Sequence, residues 1–552
     1  MAHVTLIRPP FVGPSDMINQ TEGTPSLGLA YLLGSLKEHG HHVSAVDAFG
    51  EDVNRFAEIT NSRCKRILIN GIGAEQIVSI IPKHTDVIGI TCMFSNEWLY
   101  TKYIINKVKL NFPDIPIIAG GEHITAESYR SMISTPALTA CALGEGEETI
   151  NDLVDTLVAG RSLAEVRGIA YFDDDGNYRK TERRARIHHL DDIPLPSWEE
   201  IPIENYLDAG LGNGTLQRRV LPMLASRGCP YTCTFCSSAS MWGIRWVSRN
   251  PKLVVDEIKS YIAKYRINHI DFNDLTTVIN RKWIIEFCKL LIDENLGITW
   301  SLSSGTRSEA LDREVLGYMK RAGIERITYA PESGSNKTLQ RVKKKVNLQN
   351  MTNSIRASVK VGIFSRANLI FGLPDQTIFE AFQSVAFALK LCVLGMYDIA
   401  CMCFAPYPGS ELFERMIREG KISTGAAYDE FLINNLTTKV TGMRSWSEHI
   451  PSWSMPFWTI GTTILFYSVQ FVLRPNRFCK MIFRLVKKNP TTMFETIVYG
   501  LFISLLKRKK LAVDQVEPIE KINGDDEKRY ARRVSDDPVI LVAAGNPERG
   551  LI

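Results

Sequence analysis

Ala225-Ser-Arg-Gly-Cys-Pro-Tyr-Thr-Cys-Thr-Phe-Cys236 decides how this chain is read. It sets Cys229, Cys233 and Cys236 in a Cys-x-x-x-Cys-x-x-Cys pattern on one short segment. Cysteine thiolates bind iron–sulfur clusters, and three of them on one loop can hold three irons of a 4Fe–4S cluster. No fourth ligand is evident beside them, so one iron is left open to bind and activate a small molecule. Structural zinc sites and structural clusters are normally closed by four protein ligands. The competing readings are a zinc site and a chance spacing. Gly228 and Pro230 around the first cysteine, and Phe235 before the last, favour the cluster.

Outward from this loop, residues 216–430 show a strand–helix rhythm. Strands are expected near 223–226, 269–272, 299–303, 326–330, 365–370 and 399–404, with helices such as 252–265 and 281–295 between them. In barrels of such units the active site lies at the carboxyl ends of the strands. Those ends are polar here. The second is Asp271-Phe-Asn-Asp274, and Arg307 follows the third. The fourth is Tyr329-Ala-Pro-Glu-Ser-Gly-Ser335, where Glu332 and Ser333 can accept and donate hydrogen bonds. The fifth runs Asn368-Leu-Ile-Phe-Gly-Leu-Pro374 and includes Gly372. Cys401 and Cys403 alternate on the sixth strand and share a face. They read as buried, inert thiols, since free Cys packs as a small hydrophobe. A place inside the barrel is the alternative, and Tyr407 beyond them is a candidate pocket residue. Lys343, Lys344 and Lys345 read as a solvated face, with a cation beside a bound carboxylate as the alternative.

On the other side, residues 1–160 alternate short apolar strands (3–7, 42–46, 86–91, 115–119, 138–143) with amphipathic helices such as 27–39. This predicts a parallel sheet covered on both faces, with ligands beyond the carboxyl ends of its strands. Three of those ends are polar or glycine-rich: Thr91-Cys-Met-Phe-Ser95, Gly120-Gly121-Glu122-His123 and Gly144-Glu-Gly-Glu147. Each alone reads as an ordinary turn, although glycine pairs also let backbone approach a bulky ligand. Residues 161–215 form a connector: a hairpin with an Asp-Gly turn at 168–180, then a proline-rich extended strap at 190–198.

The cluster segment resembles the radical S-adenosylmethionine (SAM) superfamily, and the first 160 residues resemble the cobalamin-binding domain. Together these imply an α/β chain: a Rossmann/flavodoxin-like cobalamin domain followed by a partial (β/α)6 TIM barrel. In the radical SAM family the open iron is chelated by SAM, and an electron from the cluster cleaves SAM to a 5′-deoxyadenosyl radical. The resemblance implies SAM contacts at Phe235, Asp274, Arg307, Glu332, Ser333, Asn368 and Gly372. Asp375 replaces a residue that is often Gly in relatives and receives no role. For cobalamin, a family Ser-x-Leu element precedes a Gly-Gly pair by about 26 to 28 residues. Here Thr91-Cys-Met93 stands in that position before Gly120-Gly121. The implied contacts are Pro9, Thr91, Met93, Ser95, Gly120, Gly121, Glu122, Gly144, Glu145 and Gly146. Many cobalamin proteins ligate cobalt through Asp-x-His-x-x-Gly. This chain has Arg8-Pro-Pro10 at that place and no such motif, so no His ligand from that loop is expected. His39, His41 and His42 read as helix-end and surface histidines.

Beyond residue 430 the sequence changes. Residues 450–473 carry no charge, and ten Lys or Arg against one acidic residue, Glu495, follow between Arg474 and Lys510. Residues 431–510 are therefore expected to be helical. They suit a membrane interface with anionic lipid, a packed cap or a spanning helix. Residues 511–552 read as disordered. The 552 residues carry a net charge of +5, too small to argue for nucleic acid. Eleven cysteines, scattered outside the cluster motif, and a start without a secretory pattern point to a reducing cytoplasm, with the inner face of the membrane as a peripheral site. The expected activity is methylation of an unactivated carbon of a small molecule or lipid. A one-electron reductant such as flavodoxin or ferredoxin would serve it. A radical cyclase or coupling enzyme with the same cofactors, and a sensing module without turnover, are the rivals.

Overall fold

The computed structural model describes residues 1–14, 23–59, 67–212, 218–308, 310–434, 442–487 and 490–506. The expected disordered tail, 511–552, lies outside them. The strands in chain order are β1 (His3–Arg8), β2 (Phe11–Pro14), β3 (His42–Asp47), β4 (Phe56–Ile59), β5 (Ile67–Asn70), β6 (Val87–Thr91), β7 (Ile117–Gly120), β8 (Ala140–Ala142), β9 (Ile169–Phe172) and β10 (Tyr178–Lys180). Then come β11 (Val220–Met223), β12 (Ser226–Arg227), β13 (Val247–Ser248), β14 (His269–Phe272), β15 (Thr299–Thr306), β16 (Ile324–Glu332), β17 (Phe364–Phe371) and β18 (Asp398–Cys403).

The first sheet has the order β10-β9-β8-β7-β6-β1-β3, parallel from β8 to β3. Alternation along a strand sends successive side chains to opposite faces. Val4 and Leu6 of β1 accordingly enter one core with Leu29, Leu33 and Leu36 of the helix Leu27–Glu38. Ile7 enters the other, with Ile90 and Ile104. The connector hairpin β9–β10 adds to this sheet in antiparallel sense, through Cys141↔Ala170. The strap then crosses the helix Leu27–Glu38, where Ser197 N–H donates to Ala30 O at 2.9 Å. A Cβ on Gly34 would lie 2.2 Å from Leu195 O, so only glycine admits the strap so close. Sequence periodicity missed a small antiparallel sheet, β2-β5-β4. Its four-residue strands adjoin only the short helices Ala48–Glu51 and Ala74–Ile80, so no strand–helix rhythm marks them.

The second sheet, β11-β14-β15-β16-β17-β18, is parallel throughout, as six strand–helix units require. Its first strand is Val220–Met223, earlier than expected. The residues Ser226–Arg227 instead pair with Val247–Ser248 in a separate ribbon ahead of the cluster loop. One continuous core joins this sheet to the first domain through Trp198 and Tyr206.

From Ser452 on, the C-terminal region is helical where it is described, while residues 442–451 are irregular. Helix Thr462–Leu473 lies beside the barrel helix Ile378–Leu394 and the edge strand β18. Tyr467 Oη donates to Asp398 Oδ1 at 2.5 Å, and Gln470 Nε2 to Met396 O at 2.9 Å. Arg474 and Arg477 donate to the carbonyls of Cys392, Val393, Gly395 and Met396. Cations at the unsatisfied carbonyls of a helix C-terminus are favourable.

Candidate active site between the two sheets

The carboxyl ends of β1, β6 and β7 and the loop after β8 face the start of the cluster loop across a cavity of about 350 Å³. Thr91, Met93, Gly120, Gly121, Gly144, Glu145 and Gly146 line it, as the sequence predicted. Gly121 has φ 114°, and a Cβ there would lie 2.5 Å from Cys92 O. Gly28 and Gly144, also in the wall, have open space where a Cβ would stand. Met93 and Phe94 are exposed into this setting at 41% and 57%. A wall of glycine backbone and apolar side chains fits the broad face of a corrin. Among the described residues, no histidine lines the cavity.

Three expected cobalamin contacts lie elsewhere. Pro9 is buried and does not line the cavity. Ser95 is turned inward, its Oγ 2.9 Å from His123 Nδ1. Burial holds His123 neutral, with its pKa lowered to about 3. Glu122 instead accepts a hydrogen bond from Ser237, the residue after Cys236, and so ties the first domain to the cluster loop. Glu145 lines the cavity, but its carboxylate is engaged by Arg186, Ile187 N–H and Arg227.

Sequence reading missed several wall residues. Arg8 donates to Tyr206 Oη at 2.7 Å and to Thr24 O at 2.9 Å, and pairs with buried Asp47 at 3.5 Å. Glu97 borders the same cavity. Burial raises its pKa to about 7 against the opposing pull of Arg8. Arg227 pairs with Glu147 and lies over the rings of Tyr31 and Trp242. Its position two residues before Cys229 was the available signal.

The cluster loop is held from several sides. Gly228 has φ 87°, and a Cβ there would meet Arg245 O at 2.2 Å. Thr234 N–H donates to Val342 O at 3.0 Å, and Leu412 N–H to Thr234 O at 2.8 Å. Burial raises the Cys233 thiol above its ordinary pKa and takes that of Cys236 to about 11. Such thiols ionise when they coordinate metal. Beside Cys233 stand Arg307, Glu332 and Lys344. Lys344 Nζ lies 2.9 Å from Glu332 Oε1, both side chains under a tenth exposed. Lys344 is thus a buried cation, not part of the solvated face expected for 343–345. It also sits 5.9 Å from the Phe235 ring centroid. Arg307 lies 3.6 Å from the Tyr231 ring centroid. Glu332 itself adopts φ 64°, a conformation that costs a non-glycine residue roughly 1–3 kcal/mol and recurs at ligand sites. This paired set of charges beside the cysteines suits the amino and carboxylate groups of SAM.

The remaining expected SAM residues divide. Asn368 faces the barrel interior with Arg366 and Ile370, across from Ala400. Asp274 holds the loop: it accepts from Ala225 N–H at 3.1 Å and Ser226 Oγ at 2.5 Å. Burial raises its pKa to about 6 against these hydrogen bonds. The Ser333 hydroxyl lies 3.0 Å from Ser384 Oγ and accepts from Ser335 N–H. Gly372 gives its N–H to Gln376 Oε1 and its carbonyl to Trp446 N–H. Asp274, Ser333 and Gly372 therefore shape the strand ends through these bonds.

Cys401 and Cys403 lie on the face of β18 opposite Asp398 and Ala400, which pair with the interior residues Arg366 and Asn368. They point away from the barrel interior and pack against the core that includes the C-terminal segment. Burial raises both thiols to about 12, as expected of inert ones. Tyr407 lies beyond β18, 38% exposed and not in the cavity wall. Its neighbour Gly409 accepts from Ser240 at 2.8 Å, beside the helix that follows the cluster loop.

Comparison with known proteins agrees with this geometry. Residues 223–388 match the radical SAM superfamily, and residues 18–154 match the B12-binding domain. An uncharacterized methyltransferase of Pyrococcus horikoshii is 31% identical over 423 residues, covering 76% of this chain and 84% of that one. An anaerobic magnesium-protoporphyrin IX monomethyl ester cyclase of Rubrivivax gelatinosus is 28% identical over 397 residues, covering 71% and 66%. The solved structure of OxsB, a cobalamin-dependent SAM radical enzyme with aqua-cobalamin and SAM bound, superposes with TM-score 0.64 at 16% identity, covering 99% of this chain and 82% of that one. The chain belongs to the cobalamin-binding radical SAM family. It is a radical SAM enzyme whose cofactors are a 4Fe–4S cluster, SAM and cobalamin.

Proposed function

We propose that this enzyme methylates an unactivated carbon of a small-molecule or lipid substrate. The observation that carries the reading is the shared wall of the cavity. Gly120, Gly121 and Gly144 on the cobalamin side and Arg227, Gly228 and Trp242 on the cluster side enclose one space. When bound, the cofactors supply a hydrogen-abstracting radical on one side of that space and a methyl group on the other. The protein's own part is positional. Cys229, Cys233 and Cys236 would hold three irons. Glu332 would accept from the SAM amino group, and Lys344 with Arg307 would face its carboxylate. Glu122 and Ser237 fix the distance between the two halves. The methyltransferase name of the relative from Pyrococcus supports this reading.

The cyclase relative keeps ring closure or coupling as the second reading. The deciding experiment is anaerobic reconstitution with cobalamin, a reductant and SAM labelled in its methyl group, incubated with extracts of cells that lack the protein. Methyl transfer requires S-adenosylhomocysteine alongside 5′-deoxyadenosine, and a labelled product heavier by one methyl group. Release of 5′-deoxyadenosine alone, with an unlabelled product, would establish the cyclase reading instead.

A further inference from the structure

One surface of the molecule carries chemistry that the reaction above does not use. The barrel helix Ile378–Leu394 and the helix Thr462–Leu473 pack side by side, and each leaves an apolar stripe outward. On the first, Ile378, Phe379, Phe382 and Val393 are 45%, 71%, 50% and 58% exposed. On the second and the turn leading into it, Phe457, Ile464, Leu465 and Val472 are 59%, 51%, 42% and 82% exposed. At about 100° per residue, Ile378, Phe379, Phe382 and Val393 fall within an arc of roughly 100°, and so do Ile464, Leu465 and Val472. Helix Pro475–Val486 continues the surface with Phe478, Ile482, Phe483 and Val486, all exposed. Single exposed apolar residues are ordinary, whereas a connected apolar patch marks an interaction surface. This one follows a helix of 17 residues, about 25 Å long, which starts just past the carboxyl end of β17 on the mouth side of the barrel.

Around the patch Glu380 is buried against Arg341, Arg484 pairs with Glu495, and Arg474 and Arg477 hold helix carbonyls, which leaves lysines as the exposed charges. Residues 450–487 contain Arg474, Arg477, Lys480, Arg484 and Lys487 and no acidic residue, and Lys480 and Lys487 are exposed. A second copy of this chain is a poor occupant, because a two-fold interface must complement itself and would set cation against cation. A bilayer with anionic headgroups satisfies both features, with acyl chains for the stripe and phosphates for the lysines. The inward face of helix Thr462–Leu473 stays with the protein through Tyr467 and Gln470. The helix is therefore anchored as a half-covered wall, which suits lying in the interface better than crossing it. We propose that the outer faces of Ile378–Leu394, Thr462–Leu473 and Pro475–Val486 together form the surface that binds an anionic membrane. Sequence reading had confined this role to residues 431–510. The barrel helix Ile378–Leu394 supplies four of its twelve named apolar residues.

Flotation of the full chain with phosphatidylcholine vesicles, with and without phosphatidylglycerol, tests this. The protein floats with the anionic vesicles, and less so at high salt, because exposed charges are screened. The variant F379S/F382S, changed only on the barrel helix, loses at least tenfold in vesicle affinity. Leu110→Ser, exposed on another helix, leaves it unchanged and shows that the loss belongs to this face. Lys480→Gln and Lys487→Gln each weaken binding to anionic vesicles by roughly fivefold. Circular dichroism confirms that the variants are folded. Wild-type protein that stays unbound at low salt would overturn the proposal. So would light scattering that shows a dimer abolished by F379S/F382S, since the face would then join two copies.

Discussion

Cys229, Cys233 and Cys236 are held by a loop whose backbone is bonded to Val342 and Leu412, so the thiols can be removed without removing its supports. The triple Cys→Ala chain is expected to keep its circular dichroism while losing iron, its brown colour and SAM cleavage. Full iron content in that variant would refute the cluster assignment. Lys344 and Glu332 pose a different question, because both are buried. Removing one partner leaves a buried charge uncompensated, which costs about 3–5 kcal/mol. Lys344→Met alone is expected to destabilise the chain more than Lys344→Met with Glu332→Gln, as read in urea unfolding of a double-mutant cycle. Equal losses would mean that the pair contributes little. Glu97 supplies a pH test in the cobalamin-free chain. Its folded pKa, about 7, lies above the ordinary value of 4.5. Between these values the folded chain keeps a proton that the unfolded chain has released, so stability falls as pH rises through that window and levels off above it. Glu97→Gln should flatten that segment of the urea-midpoint curve, and parallel curves for the two proteins would refute it.

At the scale of elements, the turn after β7 is decided by one residue. Gly121 combines φ 114° with a Cβ position 2.5 Å from Cys92 O, so any side chain must move the β6 or β7 end that walls the cavity. Gly121→Ala is expected to fold with a stability loss of roughly 1–3 kcal/mol and to retain much less cobalamin, read from the visible spectrum of the reconstituted protein. Unchanged cobalamin retention would show that this turn does not shape the corrin site. Element identity was legible where the strand–helix rhythm was long. The helix Leu27–Glu38 and strands β14 to β18 appear close to where the sequence puts them. β2, β4 and β5, of four residues each, were not legible, whereas β14, equally short, was, because the long helices Pro251–Tyr265 and Arg281–Glu294 bracket it. The first barrel strand was placed late because Leu224 and Ala225 carry its apolar run past Met223, whereas Ser226–Arg227 pair with Val247–Ser248.

For the molecule as a whole, the sequence suggested a domain boundary at 160, and the packing reaches further. The hairpin β9–β10 completes the first sheet, and Tyr206 covers Phe49 and bonds to Arg8 and Asp47. Burial of a side chain of this size contributes about 1.5–3 kcal/mol. A fragment of residues 1–212 is therefore expected to bind cobalamin without protein histidine coordination. A fragment of 1–160 should be markedly less stable and bind more weakly in thermal and spectral titrations. Equal behaviour of the two would show that the strap is only a tether.

The sequence by itself determined the cofactor class. Three cysteines at fixed spacing, a glycine pair at a strand end and two runs of strand–helix alternation depend on neighbours along the chain, and such local patterns can be read without a fold. Only the tertiary structure decided which polar residues face which site. Ser95 turned toward His123, Glu122 toward the cluster loop and Asp274 under it, while Arg8, Glu97, Arg227 and Lys344 arrived from segments far apart in sequence. Direction of this kind depends on strand register and on which helix covers which face. The same reason explains the outer surface: an apolar stripe on Ile378–Leu394 reads as core in sequence, and only the packing shows that part of it was left uncovered.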